Sequence, residues 1–214
     1  MYKCIKRVLD FIMALLLVII SSPVMLVVAI LILIQRDGPV LFKQERPGKD
    51  GKIFLVHKFR TMSTITEKDG RELSDMERMS KLGSFLRKSS LDELPQFFDI
   101  LSGKMSFIGP RPLMKSYLEL YTPEQARRHE VLPGISGWAQ INGRNSITWE
   151  EKFELDVYYV DNMSFGLDIK IFFTTIKNVL LGVGINSSDE NTMESFRGTV
   201  MAEEQPVVIA SNNE

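Results

Sequence analysis

Asp92 and Glu93 are adjacent carboxylates, and Arg87, Lys88 and Arg111 lie within the same stretch, residues 83–112. An acid pair among cations suits phosphoryl transfer. One carboxylate attacks phosphorus, another holds a divalent metal, and the cations offset phosphate charge. Arg111 stands between Pro110 and Pro112, which limits the entropy lost when it clamps a phosphate. The same acids have a structural use. Leu94, Phe97, Phe98 and Leu101 mark the apolar face of a helix that Gly103 would stop. Proline is tolerated in a first helical turn but not deeper, so Pro95 favours Asp92 over Ser90 as the N-cap, and Ser90-x-x-Glu93 mimics a capping box. Either use places the two acids at the positive end of a helix dipole, where anions are also held.

Residues 39–62 read as two short strands joined by a turn of Gly, Pro and Asp. Lys58 and Arg60 share one face of the second strand, where they meet an anion or form a solvated face. Residues 63–81 are a polar surface excursion leading into a helix. Residues 133–145 carry three glycines with Ser136, Gln140, Asn142 and Arg144, a loop whose backbone can approach a ligand closely. It is neither a GxGxxG pattern nor a P-loop, so it is weak evidence alone. Residues 149–159 form a helix rich in acids and aromatics. In residues 168–181, Ile169, Phe172, Phe173, Ile176, Val179 and Leu180 recur at helical spacing, which suits core packing first and a membrane interface second.

These elements follow an apolar stretch. Residues 11–34 carry no charge, and only Ser21, Ser22 and Pro23 interrupt the apolar series. As a helix the stretch reaches roughly 36 Å, enough for a hydrocarbon core of about 30 Å. It is longer than a signal peptide's apolar region, and no small-x-small cleavage site follows, so it is expected to be retained. Lys3, Lys6 and Arg7 precede it and Arg36, Lys43, Arg46 and Lys49 follow, which argues that both ends are cytoplasmic. Pro23 removes a backbone hydrogen bond near the middle. A broken, re-entrant helix is favoured over a straight span with a mild kink.

The net charge of −1 conceals an acidic tail. Residues 187–214 hold six acids and one Arg, while residues 1–186 carry 25 basic against 21 acidic residues, a net of +4. Such a body suits an anionic membrane or a phosphorylated substrate. One Cys, Cys4, excludes an intrachain disulfide and a Cys-cluster metal site. His57 and His129 lie too far apart in sequence to suggest a His-rich zinc site.

The order of motifs carries more than any one of them. Lys-Arg-Val-Leu-Asp before the Ser-Pro-interrupted helix, Lys-Phe-Arg-Thr-Met, Leu-Asp-Glu-Leu-Pro-Gln, Ser-Phe-Ile-Gly-Pro-Arg-Pro and Pro-Gly-Ile-Ser-Gly-Trp-Ala-Gln-Ile-Asn-Gly-Arg follow one another between Lys6 and Arg144, and the resemblance they carry covers residues 3 to about 185. Together they closely resemble the bacterial sugar transferase family of monotopic polyprenyl-phosphate phosphoglycosyl transferases. The resemblance implies transfer of a sugar 1-phosphate from a UDP-sugar to undecaprenyl phosphate at the cytoplasmic face of the bacterial inner membrane. UMP is released and a surface or glycoprotein glycan begun. It implies Asp92 as the nucleophile of a phosphosugar-aspartyl intermediate, Glu93 as the Mg2+ ligand, Arg111 as a phosphate binder with Lys58 and Arg87 in support, and Ser22-Pro23 as the break of a re-entrant hairpin.

The expected fold is therefore α+β and mainly helical, with a re-entrant membrane helix, a short β-hairpin and interfacial amphipathic helices. The expected parts are an anchor at 1–38, a catalytic domain at 39–186 and an acidic, mobile tail at 187–214. Expected partners are the UDP-sugar, undecaprenyl phosphate and membrane lipids, with downstream glycosyltransferases and a homo-oligomer left open and no nucleic acid. The alternative class is a non-catalytic membrane scaffold for glycan assembly enzymes, in which Asp92 and Glu93 serve only as caps.

Overall fold

The computed structural model describes residues 2–35, 38–68, 70–143, 147–181 and 195–199. The described chain is mostly helical, with three two-stranded sheets. It begins with α1, Tyr2–Ile34, which continues through Pro23. Pro23 has no amide to offer the carbonyl of Ile19, and the Ser22 hydroxyl donates to that carbonyl instead at 2.8 Å. Ser21 Oγ donates to the carbonyl of Leu17 at 2.6 Å. The Ser-Pro pair thus supplies its own compensation inside an apolar segment, where an unsatisfied carbonyl costs several kcal/mol.

α1 packs on the rest of the protein through two separate stretches. Ala14, with Met13 and Leu17, joins a cluster that includes Val56, Ile100, Met105 and Ile171. Val28 and Ile32 join Phe59 and Leu86 in a second cluster. Between them Leu16, Ile19, Ile20 and Val24 stay exposed. Ala14, Ile32, Leu86 and Ile100 are fully buried, and each large apolar side chain buried this way contributes roughly 1.5–3 kcal/mol. The basic residues ahead of the apolar stretch are tied down as well. Lys6 Nζ lies 2.7 Å from Asp168, and Arg7 donates to the carbonyls of Ile100 and Leu101.

The expected hairpin forms from β1, Leu41–Pro47, and β2, Ile53–Phe59, paired antiparallel from Leu41↔Phe59 to Pro47↔Ile53. The polar excursion holds short elements of its own: β3, Glu67–Lys68, paired with β4, Arg71–Glu72, and then α2, Asp75–Arg78, begun by a Ser74–Glu77 capping box. Next come α3, Lys81–Lys88, a 3-10 turn at Leu91–Glu93, and α4, Gln96–Leu101. β5, Ser106–Ile108, precedes α5, Pro123–Ala126, and pairs in parallel with β6, Gly134–Ser136. The fold then runs through α6, Trp138–Asn142, α7, Trp149–Asn162, and α8, Phe165–Leu180.

Three expectations are altered. Asp92 is not an N-cap: it sits inside the 3-10 turn, Pro95 occupies the position before α4, and neither Ser90 nor Pro95 makes a side-chain cap bond. The apolar stripe of α8 is mostly not core, since Phe172 packs against the first cluster while Ile169, Phe173, Ile176, Val179 and Leu180 are exposed, Leu180 at 80%. Finally, a piece of the acidic tail is docked, with Phe196 4% exposed in an aromatic cluster.

Candidate active site

Three contacts bring the site residues to one place. Gly83 lets α3 lie directly on the chain leaving β2, where a Cβ would fall 1.8 Å from the carbonyl oxygen of Thr61. That approach allows Arg87 Nε to donate to Thr61 Oγ1 at 3.0 Å. Ser90 then takes a left-handed conformation, φ 57°, and turns the chain into Leu91–Glu93. A non-glycine residue pays strain there, and such strain clusters at functional sites. Behind the turn, buried Asp99 accepts the backbone N–H of His57 at 3.0 Å and contacts His57 Nδ1 at 2.7 Å, fastening α4 to β2.

Glu93 is the electrostatic centre of this arrangement. Lys58 Nζ and Arg111 Nη2 both donate to its Oε1, at 2.6 and 2.8 Å. Burial acts to raise the Glu93 carboxyl, but Arg111 and Lys58 outweigh it and hold it at about 2. Asp92 is buried and accepts no hydrogen bond from the described residues. Burial, with the neighbouring Glu93 charge, pushes its carboxyl above the ordinary aspartate value, against the pull of Lys58, Arg87 and Arg111. The two acids therefore differ: one is tightly paired, the other desolvated and unpaired. Burial and the nearby Arg111 lower the Lys58 ammonium, against the pull of Glu93.

The proline-flanked arginine is positioned by the glycine-rich segment. Gly109 N–H donates to the carbonyl of Ser136 at 2.8 Å, and Gly134 N–H to that of Pro110 at 3.0 Å. A Cβ on Gly134 would meet Gly109 N at 2.2 Å. The close backbone approach expected of these glycines is thus made to the strand that leads into Arg111. Gln140 has both amide atoms buried without a hydrogen-bond partner among the described residues. Asn142 Nδ2 donates to the carbonyl of Trp138 within α6. Neither forms a hydrogen bond with Asp92 or Glu93, and Arg144 lies outside the described residues. Arg60 is buried with its Nε on the carbonyl of Pro39.

Among the described residues no three His, Cys, Asp or Glu side chains gather as a metal-binding group. Mg2+ needs none, since it is commonly held by one or two carboxylates together with substrate phosphates and water. The ionised Glu93, whose second oxygen takes no hydrogen bond from the described residues, and the adjacent unpaired Asp92 fit such an ion.

A buried ion pair supports the site from behind. Arg128 donates through Nε and Nη2 to Asp156 Oδ2 at 3.0 and 2.7 Å, and its Nη2 also donates to the carbonyl of Arg111 at 2.8 Å. In the sequence Asp156 falls on the stripe Phe153, Val157 and Val160, and an acid on an apolar helical face signals a buried partner.

The family model described as bacterial sugar transferase matches residues 1–182. The chain belongs to the bacterial sugar transferase family. It is 50% identical over 195 residues to an uncharacterized sugar transferase, EpsL, of Bacillus subtilis, covering 91% of this chain and 96% of that protein. It is 41% identical over 192 residues to a UDP-N-acetylgalactosamine-undecaprenyl-phosphate N-acetylgalactosaminephosphotransferase of Aeromonas hydrophila, covering 86% of this chain and 45% of that protein. It is 43% identical over 182 residues to a UDP-glucose:undecaprenyl-phosphate glucose-1-phosphate transferase of Klebsiella pneumoniae, covering 80% and 39%. The chain thus spans nearly all of the first of these bacterial sugar transferases and less than half the length of the other two.

Proposed function

We propose that this bacterial sugar transferase moves a sugar 1-phosphate from a UDP-sugar to undecaprenyl phosphate, releasing UMP as the first membrane step of a surface polysaccharide or glycoprotein glycan. The observation that carries the reading is the division of labour in the acid pair: Glu93 paired through Oε1 with Lys58 and Arg111, Asp92 buried without a hydrogen-bond partner among the described residues. The capping role that a scaffold would require of these acids is absent, because neither helical turn beside them has a side-chain cap bond.

In this reading Asp92 carboxylate oxygen attacks the phosphorus that bears the sugar. The new oxygen–phosphorus bond forms as the diphosphate bridge breaks, and the bridging electrons leave with UMP. Arg111, Lys58 and Arg87 offset the charge spread over the phosphoryl oxygens. An oxygen of undecaprenyl phosphate then attacks the same phosphorus and returns the carboxylate to Asp92. Splitting the transfer avoids bringing two anionic substrates together at once. Mg2+, held by Glu93 with Asp92 beside it, would supply further neutralisation of phosphate charge.

α1 and α8 support the membrane placement. α1 is long and apolar enough to cross a membrane by length and composition, yet it packs at both ends on one body, sharing clusters with Val56 and Phe59 of a single strand. That supports a re-entrant anchor with both ends on the cytoplasmic face. The exposed apolar residues of α8, Phe173 at 62% among them, suit the same interface. Single cysteines in place of Lys3 and Val40, in a Cys4→Ser background, test this. Labelling of exactly one of the two from outside intact cells contradicts re-entry.

The relatives named above differ in their sugar, N-acetylgalactosamine in one and glucose in another, so the donor is left at the UDP-sugar class. Assay of UMP release across UDP-sugars, with undecaprenyl phosphate and Mg2+, tests the activity. Mg2+-dependent release with at least one donor is expected, and release with none refutes the reading.

A further inference from the structure

Residues 195–199 dock on the body beside the Pro-Arg-Pro loop. Phe196 enters a cluster with Tyr117 and Phe153, flanked by Leu113, Tyr121 and Trp149. Its ring lies edge-on to Phe153 at 5.0 Å and to Tyr117 at 5.6 Å, and stacks on Tyr121 at 6.0 Å. The backbone is fixed too. Phe196 N–H donates to Tyr117 Oη at 3.1 Å, Gln125 Nε2 donates to Thr199 Oγ1 at 2.7 Å, and Thr199 Oγ1 donates to Glu150 at 3.1 Å.

The cluster touches the loop that carries Arg111 from two directions. Leu113, two residues after Arg111, packs in it directly. Arg128 reaches it from the other side: its guanidinium lies 5.7 Å from the ring centres of both Tyr121 and Phe153, and Nη1 donates to Tyr121 Oη at 3.2 Å. The same guanidinium holds the Arg111 carbonyl, and Arg111 in turn pairs with Glu93. Emptying the Phe196 position would leave the faces of Tyr121 and Phe153 without a packing partner on that side, and close-packed clusters relax by moving.

We propose that Phe196 is a positioning residue, a plug supplied by the C-terminal segment that sets the Arg111 loop for phosphate binding through Tyr121, Phe153 and Arg128. This rests on the reading of Arg111 as a phosphate clamp.

The test compares full-length wild type, Phe196→Ala and Phe196→Tyr by hydrogen exchange at the amides of Arg111, Leu113 and Met114, and by kcat and KM for the UDP-sugar. Phe196→Ala should speed exchange at these amides and lower kcat/KM about tenfold, chiefly through KM, since small misplacements of a clamp are amplified in rate. Phe196→Tyr should restore both. Unchanged exchange at the loop in Phe196→Ala overturns the proposal, as does an equal loss in alanine and tyrosine variants. The exchange measurement needs no turnover. An inactive wild type would refute the transferase reading and leave the coupling of plug and loop to be decided by exchange alone.

Discussion

Asp92 and Glu93 are neighbours in the chain but opposites in their surroundings: Glu93 Oε1 receives Lys58 and Arg111, while Asp92 is buried with no hydrogen bond from the described residues. A desolvated, unpaired carboxylate is the better nucleophile and an ionised, paired one the better charge anchor. The pair therefore needs no third acid to divide the work of phosphoryl transfer.

The pH dependence of UMP release should carry this difference. In the proposed mechanism Asp92 must be ionised to attack, and burial with the Glu93 charge raises its carboxyl above 3.8, so the acid limb should lie above that value. Glu93→Gln removes a repelling charge and should move the limb to lower pH. Arg87→Ala removes an attracting one and should move it to higher pH. Single-turnover profiles of the three enzymes check the signs, and parallel shifts would exclude Asp92 as the titrating group.

Gly83 should tolerate no side chain. Alanine there meets the Thr61 carbonyl at 1.8 Å, an overlap with backbone that no rotamer relieves. Overpacking of this kind costs about 1–3 kcal/mol or more. Gly83→Ala should lower the melting temperature and, by pushing α3 off Thr61, displace Arg87 and reduce UMP release.

Asp156→Asn should destabilise by about 3–5 kcal/mol, the usual result of leaving a buried cation without its partner. Both side chains of the pair are nearly inaccessible, 1% exposed for Arg128 and 2% for Asp156. Because Arg128 also holds the Arg111 carbonyl, activity measured well below the melting temperature should fall too. Thermal melts with parallel kinetics separate the two effects.

His129 should make stability sensitive to mild acid. Burial, with the Arg128 charge, lowers its imidazole from 6.5 to about 4 against a hydrogen bond to the Gly48 carbonyl. The unfolded chain takes up this proton below about 6.5 and the folded one only below about 4, so stability falls as pH drops through that window. His129→Gln should flatten the slope of melting temperature against pH between those values.

Much of the fold was legible because its signals are local. The Gly-Pro-Asp turn between β1 and β2, the 3.6-residue spacing of α7 and α8 and the uncharged run of α1 each encode an element within one contiguous stretch of chain. The cap assignment failed because Pro95 permits two helix starts, and packing chose the later one. The stripe of α8 has the right spacing for a core, but spacing alone does not say which solvent the apolar face meets. Asp92 and Glu93 stood out by type and order. What sequence could not supply was their pairing: Lys58, Glu93 and Arg111 lie 35 and 18 residues apart, and only the fold joins them. The docked Phe196 was hidden by an acidic, polar context that reads as free tail.

The covalent intermediate is the most direct test of the chemistry. Wild-type enzyme incubated with a UDP-sugar and Mg2+, without undecaprenyl phosphate, should release UMP and gain the mass of one phosphosugar on the peptide containing Asp92. Adding undecaprenyl phosphate should discharge that adduct, and Asp92→Asn should show neither adduct nor UMP. UMP that appears only when both substrates are present, with no mass gained at Asp92, would contradict a two-step transfer through this residue.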